Sequence, residues 1–382
     1  MKIVFVVGGL LRPDGMSQVL SDIINYLAEN THFNIYMILT EKAGEPWFYE
    51  ISPKVKFINF NLNFDDLDNM PLPKKLIQFW KKQKKYKKLF ANYLMEIRPD
   101  ITVSELRREI NFINEINDGS KKIAKIHFNK SNYREANIKY FPHFINLLIT
   151  KKWQADLVKH IRKLDRFIVL TEEDKKAWVE LKNIMVIPNA LKFIPTESSK
   201  CINKKVIAVG RYSPEKGFDR LIDAWAIVNN KHNDWKLDIY GSGNRFAYQK
   251  LAADKGLTNS ISCNEATKNI YDKYMESSVF VLSSRYEGFG LALAEAMSCG
   301  LAVASFACPC GPIDIIKDGE DGFLVENGNT AQLAEKICYL IEHEDERIAM
   351  GKRAKEDVQR FSKEKIMQQW IDLFNELTKE KQ

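Results

Sequence analysis

Glu287 and Glu295, with seven residues between them, bracket the stretch of this 382-residue chain whose residue types and spacing best suit chemistry. Ahead of them an apolar, β-branched run, Val279 to Leu282, reads as a buried parallel strand, and Leu291 to Cys299 has helix-forming composition closed by Gly300. Between the two, Gly288 and Gly290 let backbone approach a ligand, with Phe289 between them. A strand, a loop and a helix N-terminus gather free N–H groups and the positive end of a helix dipole, an arrangement that favours an anion. Helical rise would set the two carboxylates about 12 Å apart, too far to share a proton. That separation suits two acceptors gripping hydroxyl groups at opposite ends of an extended ligand whose phosphates lie on the intervening amides. The plainer reading is a surface glutamate beside an ordinary strand-to-helix loop, and the stretch alone leaves both open.

Two further places could hold reacting groups. Near the N-terminus the strand Lys2 to Val7 runs into Gly8-Gly9 and a loop through Gly15, before an amphipathic helix from Met16 to Ala28. The loop lies where α/β sheets bind ligands, at the carboxyl end of a strand, but it is neither a GxGxxG fingerprint nor a P-loop, so a plain turn is equally admissible. His127 stands at the carboxyl end of a predicted strand, Lys122 to Phe128, in the right place to face a cleft; a structural histidine is the alternative. The cysteines all fall in the second half without zinc spacing, which predicts reduced thiols and no metal site, Cys308-Pro309-Cys310 included.

The elements that must position these residues alternate between strand and helix. Strands are predicted at Phe33 to Leu39, Val55 to Phe60, Pro99 to Ser104, Arg166 to Thr171 and Ile184 to Ile187, and the pattern restarts at Lys205 to Gly210 and Trp235 to Tyr240. The Pro- and Ser-containing stretch 191–203 has no periodicity and reads as a linker. The expected organisation is therefore two doubly wound α/β domains: 1–190, then 204–361, with a C-terminal helix at 362–382 and the ligand in the cleft between the domains. A 45% hydrophobic, 28% charged composition is that of a globular chain, and no run reaches the ~20 apolar residues a bilayer span requires. MKIVFVVGGLL reads as a strand rather than a signal peptide, so a cytoplasmic location is expected.

Charge is lopsided. Residues 1–200 carry 33 Lys+Arg against 23 Asp+Glu, whereas the remainder is slightly acidic, so an anionic partner is expected for the first half alone. Eight of the fifteen residues from Lys74 to Lys88 are lysines, interleaved with Phe79, Trp80 and Tyr86. One reading is a surface helix whose apolar stripe packs inward and whose lysines are solvated; the other is a patch on anionic lipid headgroups, peripheral at the inner face of the cell membrane. Nucleic acid is disfavoured, because no recognised binding motif accompanies the charge.

Four motifs in order, VGRYSPEKGFDRLIDAW (209–225), LDIYGSG (237–243), SSRYEGFGLALAEAMSCG (283–300) and GPIDIIKDGEDGFLV (311–325), resemble the family-4 group of retaining glycosyltransferases. The likeness covers most of 184–325; the first half matches more loosely through Asp14-Gly15-Met16-Ser17-Gln18-Val19, where the family often has Gly-Gly-Met-Glu-Arg-Val. The resemblance implies a GT-B fold and metal-independent transfer of a hexose or N-acetylhexosamine from a nucleotide diphosphate, by family frequency UDP. The implied acceptor is a glycan or lipid-linked saccharide in surface-polysaccharide synthesis, such as lipopolysaccharide or capsule. It further implies that Arg211 and Lys216 neutralise the donor diphosphate, that Glu287 meets donor-sugar hydroxyls and Glu295 ribose hydroxyls, and that the backbone of Gly288, Phe289, Gly290 and Leu291 holds phosphate and sugar oxygens, with Gly241 also on the donor side. His127 would lie near the transferred sugar, and Gly9 or Gly15 would allow close approach from the opposite wall. A UDP-sugar epimerase of the same fold and a non-catalytic nucleotide-sugar-binding protein are the alternatives; intact acidic and basic positions speak against a decayed site.

Overall fold

The computed structural model describes residues 1–10, 15–68, 70–132 and 142–379. The chain forms two compact units, one made of Met1–Leu170, Asp174–Ile187 and Met367–Gln382, the other of Thr171–Glu173 and Pro188–Ile366. In chain order the first sheet and its helices are β1 (Lys2–Val6), α1 (Gly15–Asn30), β2 (Asn34–Leu39), β3 (Lys56–Asn59), α2 (Leu72–Ile97), β4 (Ile101–Ser104), β5 (Lys121–Lys125), α3 (His143–Ile161), β6 (Arg166–Val169), α4 (Glu172–Ala177) and β7 (Ile184–Val186). Its seven strands lie in the order β3-β2-β1-β4-β5-β6-β7, and every neighbouring pair is parallel. β1 and β2 bury all but their first residue deeply or nearly so, as strands covered on both faces must. The order reverses between β1 and β4, which makes that crevice the switch point where α/β sheets take ligands.

Helix faces follow the apolar spacing. In α1, predicted to be amphipathic, Val19, Leu20, Ile23, Ile24 and Leu27 form the buried stripe. In α2, Tyr86, Phe90 and Leu94 recur every four residues and enter the core with Val4, Val6, Ala124 and Phe167. The helix stops at Arg98, whose left-handed backbone points its N–H at the Leu94 carbonyl.

The second sheet comprises β8 (Lys205–Val209), α5 (Phe218–Lys231), β9 (Lys236–Gly241), α6 (Arg245–Asp254), β10 (Ile261–Glu265), α7 (Ile270–Met275), β11 (Val279–Leu282), α8 (Leu291–Ser298), β12 (Ala302–Phe306), α9 (Pro312–Ile315), β13 (Phe323–Val325), α10 (Thr330–Glu342) and α11 (Glu344–Asp357). Its order is β10-β9-β8-β11-β12-β13, again with all neighbours parallel, and the reversal falls between β8 and β11. Residues 191–203 carry no regular element and are tied to this unit: Leu191 N donates to Phe361 O (2.9 Å), Ser199 N to Cys299 O (2.8 Å) and Cys201 Sγ to Gly300 O (3.3 Å).

The last helix, α12 (Lys363–Lys379), buries Met367, Trp370, Leu373, Phe374 and Leu377. From Met367 on it belongs to the first unit. There Phe374 meets Phe33 edge-on and Arg166 binds Glu376 at 2.5 Å. Several elements differ from expectation. β5 ends at Lys125, so His127 lies beyond the strand, where its ring is held by a carboxylate rather than by the ladder. α3, α4, β10 and α7 were not anticipated at all. Among the described residues no helix is long and apolar enough to cross a membrane.

Candidate functional site

The loops leaving β8 and β11 meet at the second sheet's switch point. Gly217 adopts φ +62°, and a Cβ there would stand 2.1 Å from the Ser283 carbonyl, so only glycine lets the loops touch. Ser283 Oγ donates to Lys216 O (2.9 Å), Arg285 N donates to Glu215 O (2.8 Å), and the Arg285 guanidinium grips Asp219 through two bonds of 2.9 and 2.6 Å. This fixes Lys216 opposite Glu287. Lys216 Nζ donates to both carboxylate oxygens at 2.7 and 2.9 Å, and Ser284 Oγ adds a third bond at 2.6 Å. Glu287 N in turn donates to Pro309 O, which fastens a third loop, the one after β12 (3.0 Å). Gly241, at the end of β9, is needed for packing: a Cβ there would lie 1.7 Å from the Gly210 carbonyl oxygen.

The glycine loop opens α8. Gly290 starts it at φ +95°, where any side chain would be strained although space is available. The amides of Leu291 and Ala292 are left over by the helix, those of Leu293 and Ala294 being spent on the Gly290 carbonyl, and can receive an anion. Gly288 is half-buried, while the Phe289 ring is turned inward, edge-on to Phe361 at 5.1 Å, so this residue offers a ligand only its backbone. Gly311, at φ +125°, lets its own backbone close on Phe289 O.

The remaining predicted donor-side residues do not join the Lys216–Glu287 pair. Arg211 is exposed, with Nη2 on Glu215 Oε1 at 2.8 Å. Glu295, one turn into α8, has different company: Tyr274 Oη donates to its Oε2 at 3.3 Å, and burial raises its carboxyl to about 7 despite that bond and the nearby Lys192 charge. Glu287 and Glu295 therefore differ in company as well as place: a lysine and a serine donate to the first, whereas the second is buried and stands poised between neutral and charged near neutral pH. Burial also pushes up the thiol of Cys308, beside Glu287. Among the described residues no group of three or more His, Cys, Asp or Glu is placed to hold a metal ion.

A second cluster stands at the carboxyl edge of the first sheet. Leu106, just past β4, sits at φ +52°, a conformation that costs a non-glycine residue on the order of 1 kcal/mol. It is held there by Glu109: Arg107 N and Ser104 Oγ both donate to Glu109 Oε1, at 3.1 and 2.6 Å, and Leu106 N donates to Ser104 Oγ at 3.1 Å. The turn presents Glu105 to the ring of His127. Burial would raise the Glu105 carboxyl, yet His127, Lys125 and Arg107 more than offset it and hold it below its ordinary range. Burial lowers His127, with Glu105 opposing. An ionised carboxylate can only accept, so Nε2 carries the hydrogen and donates to Glu105 Oε2. Glu105 Oε1 is buried and, among the described residues, has no hydrogen-bond partner. Lys125 is buried over the Trp370 ring at 5.5 Å, and desolvation brings it down to about 8 with Glu105 opposing.

The predicted glycines here fare differently. Gly8, not singled out as a site, is where Arg107 lies, since a Cβ would be 2.3 Å from its Nη1. Gly9 is half-buried, and Gly15 opens α1 with open space where a Cβ would go. Asp14 lies outside the described residues. Sequence reading passed over Lys125, Arg107, Glu109, Tyr274 and Ser284. The pair Ser104-Glu105 at a strand end was the one signal available for the first cluster; for Tyr274, twenty-one residues before Glu295, there was none.

Residues 196–357 match the family described as glycosyl transferases group 1. The poly(ribitol-phosphate) alpha-N-acetylglucosaminyltransferase of Staphylococcus aureus is 29% identical over 254 residues, 65% of this chain and 52% of that protein. The amylovoran biosynthesis glycosyltransferase AmsD of Erwinia amylovora is 31% identical over 222 residues, 55% of this chain and 62% of that one. The chain thus spans about half the length of the relatives it matches. Among solved structures, an S. aureus TarM mutant in complex with fondaparinux, alpha-GlcNAc-glycerol and UDP superposes with TM-score 0.75 at 18% identity, covering 98% of this chain and 99% of that one. The lipopolysaccharide outer core galactosyltransferase WaaB superposes with TM-score 0.74 at 20% identity over the whole of both chains. The fold is the α/β GT-B fold of those structures.

Proposed function

We propose that this chain, whose second unit carries a region of the group 1 glycosyltransferase family, is a retaining transferase. It moves a hexose or N-acetylhexosamine from a nucleotide diphosphate, UDP, to a saccharide or lipid-linked saccharide acceptor in surface-polysaccharide synthesis. The carrying observation is the Lys216–Glu287 pair at 2.7 and 2.9 Å, fixed at a sheet switch point beside the amino end of α8. The S. aureus relative named for N-acetylglucosamine transfer and the TarM structure with UDP support the donor class.

The chemistry follows from charge. As the anomeric carbon–oxygen bond to the diphosphate breaks, negative charge grows on the leaving phosphate, and a fixed ammonium with helix amides aimed at it lowers the barrier. Lys216 supplies the ammonium and the first turn of α8 the amides. The acceptor oxygen bonds to the anomeric carbon from the face the phosphate leaves, and the departing phosphate oxygen takes the acceptor proton. Glu287 positions the sugar through its hydroxyls and orients Lys216, and no covalent glycosyl intermediate forms on it. Glu295, with its partner Tyr274, holds the ribose. On the first unit, the unpartnered Oε1 of Glu105 and the His127 ring are the polar groups suited to a sugar hydroxyl.

A panel of UDP- and GDP-sugars in a nucleotide-release assay, run alongside thermal unfolding, tests this. Nucleotide release from a UDP-hexose or UDP-N-acetylhexosamine, with the same compound raising Tm by mass action, is the expected result. Stabilisation without release or transfer would reduce the protein to a binder, and silence in both readouts would end the proposal.

A further inference from the structure

α2 and α3 lie on one face of the first sheet. Phe90 and Leu94 of α2 and Leu157 and Ile161 of α3 enter the same core. They flank the segment after β4: Gln83 Nε2 donates to Arg108 O at 2.8 Å, and Asn114 Nδ2 donates to His160 O at 2.9 Å. Both helices end at the amino edge of the sheet. Lys2 Nζ on β1 reaches Ile97 O (2.9 Å), and Asp165, just past α3, donates its N–H to Lys122 O at the start of β5 (2.9 Å). A 26-residue helix is about 39 Å long and a five-residue strand about 17 Å, so the amino half of α2 runs on past the carboxyl edge. The amino half of α3 lies toward that edge too, for its buried residues, Leu157 and Ile161, are confined to its last two turns.

Those amino halves expose what a core would normally cover. On α2, Leu76, Ile77 and Trp80 are half or more exposed, Trp80 at 67%; on α3 so are Phe144 and Leu148, each at 62%. Lysines share the same faces. Ile77, Lys81, Lys84 and Lys88 follow one another at three- and four-residue steps, as do Phe144, Leu148 and Lys152. There is no Asp or Glu from 72 to 95 or from 142 to 155. Lys75, Lys82 and Lys87 find carboxylates, whereas Lys74, Lys81, Lys84, Lys85 and Lys88 have none among the described residues.

We propose that the amino halves of α2 and α3 form one surface that docks on the headgroup layer of an anionic lipid bilayer. The occupant follows from the mixture. Apolar side chains standing among unpaired lysines can enter the headgroup boundary while the ammonium groups stay at anionic phosphates, which neither a solvated face nor a purely charged patch accounts for. The docking edge is also the edge that carries Glu105 and His127, so an acceptor held in the bilayer would arrive on their side of the unit. The inference stands independently of the transferase reading.

Sedimentation of the full chain with phosphatidylcholine vesicles, with and without phosphatidylglycerol, tests it. Binding is expected to the anionic vesicles only, weakened at high salt. Lys81→Gln/Lys84→Gln/Lys88→Gln should lower it about 100-fold, at about fivefold per lysine. Phe144→Ser/Leu148→Ser should weaken it while leaving the melting profile intact, because both side chains are exposed. No binding at low salt overturns the proposal. So does a Phe144/Leu148 variant that binds as wild type, which would leave α3 outside the surface. Heparin capture with no preference for vesicles would assign the lysines to a soluble polyanion, and lipid-free self-association lost in the Phe144/Leu148 variant would assign the face to a second copy; either outcome replaces the bilayer.

Discussion

Both sheets reverse their strand order once, and at or beside each reversal an acid and a cation are brought together, but by different means. In the second unit Lys216 and Glu287 stand on glycine-bearing loops and satisfy each other directly. In the first, Glu105, His127 and Lys125 come from the ends of two adjacent strands, lie deep, and shift one another's titration. The first arrangement is built to meet charge that comes and goes with a ligand; the second stores charge permanently at the cost of desolvation. A pair whose lysine keeps some exposure, as Lys216 does, can exchange partners within a reaction. A buried one holds its geometry and is suited to orienting hydroxyls.

The comparison breaks most visibly in kinetics. Lys216→Ala should lower kcat about 10²–10³-fold and alter donor affinity far less, since the charge it meets develops late. A change in affinity alone, read from initial rates against donor concentration, would mean that Lys216 binds the ground state and that the two clusters are not so different. Lys125 gives the next largest effect, in stability. Its ammonium has a folded value of about 8, below that of the free side chain, so from about pH 8 to 10.5 the unfolded chain holds a proton that the folded chain has shed. Stability therefore rises with pH across that window, by up to about 3 kcal/mol, and is lowest below it. Urea unfolding at pH 7 and pH 10 should show this gain for the wild type and not for Lys125→Met. Equal slopes in both proteins would show that the lysine is not buried as charge. The smallest effect belongs to the tie between the loops: Asp219→Asn frees Arg285 from a half-exposed ion pair and should cost about 0.5 kcal/mol in the same assay. A loss of several kcal/mol would mean that this pair, and not the main chain, holds the second site together.

The same contrast explains what the sequence could tell. Around Glu287 the determinants are local: a β-branched strand, two glycines and a helix follow one another within about twenty residues, and the spacing to Glu295 is fixed by the helix. Lys216 was singled out by the resemblance alone; the fold sets its ammonium on the Glu287 carboxylate where Gly217 lets two loops touch. The first cluster is assembled from Glu105 and Lys125, twenty residues apart in the chain, and nothing in a strand-end lysine announces that a tryptophan from residue 370 will cover it. α3 went unread because its amino half is apolar without an opposing polar face, so it offers no clear helical period; it proves largely exposed. β10 was missed because Ser262, Cys263 and Asn264 make a short edge strand with little apolar character. The difference in surroundings between Glu287 and Glu295 was likewise hidden, since their spacing is a property of the chain, whereas the lysine beside the one and the burial of the other are made by the fold.

The loops after β8, β11 and β12 are fastened to one another by main-chain atoms, through Gly217 on Ser283, Arg285 N on Glu215 O and Glu287 N on Pro309 O. None of these ties uses the ammonium of Lys216 or the carboxylate of Glu287. The frame and the reactive groups are therefore separable in heredity: a lineage can exchange the lysine, the serine or the glutamate for side chains suited to another leaving group and still inherit a folded crevice to try them in.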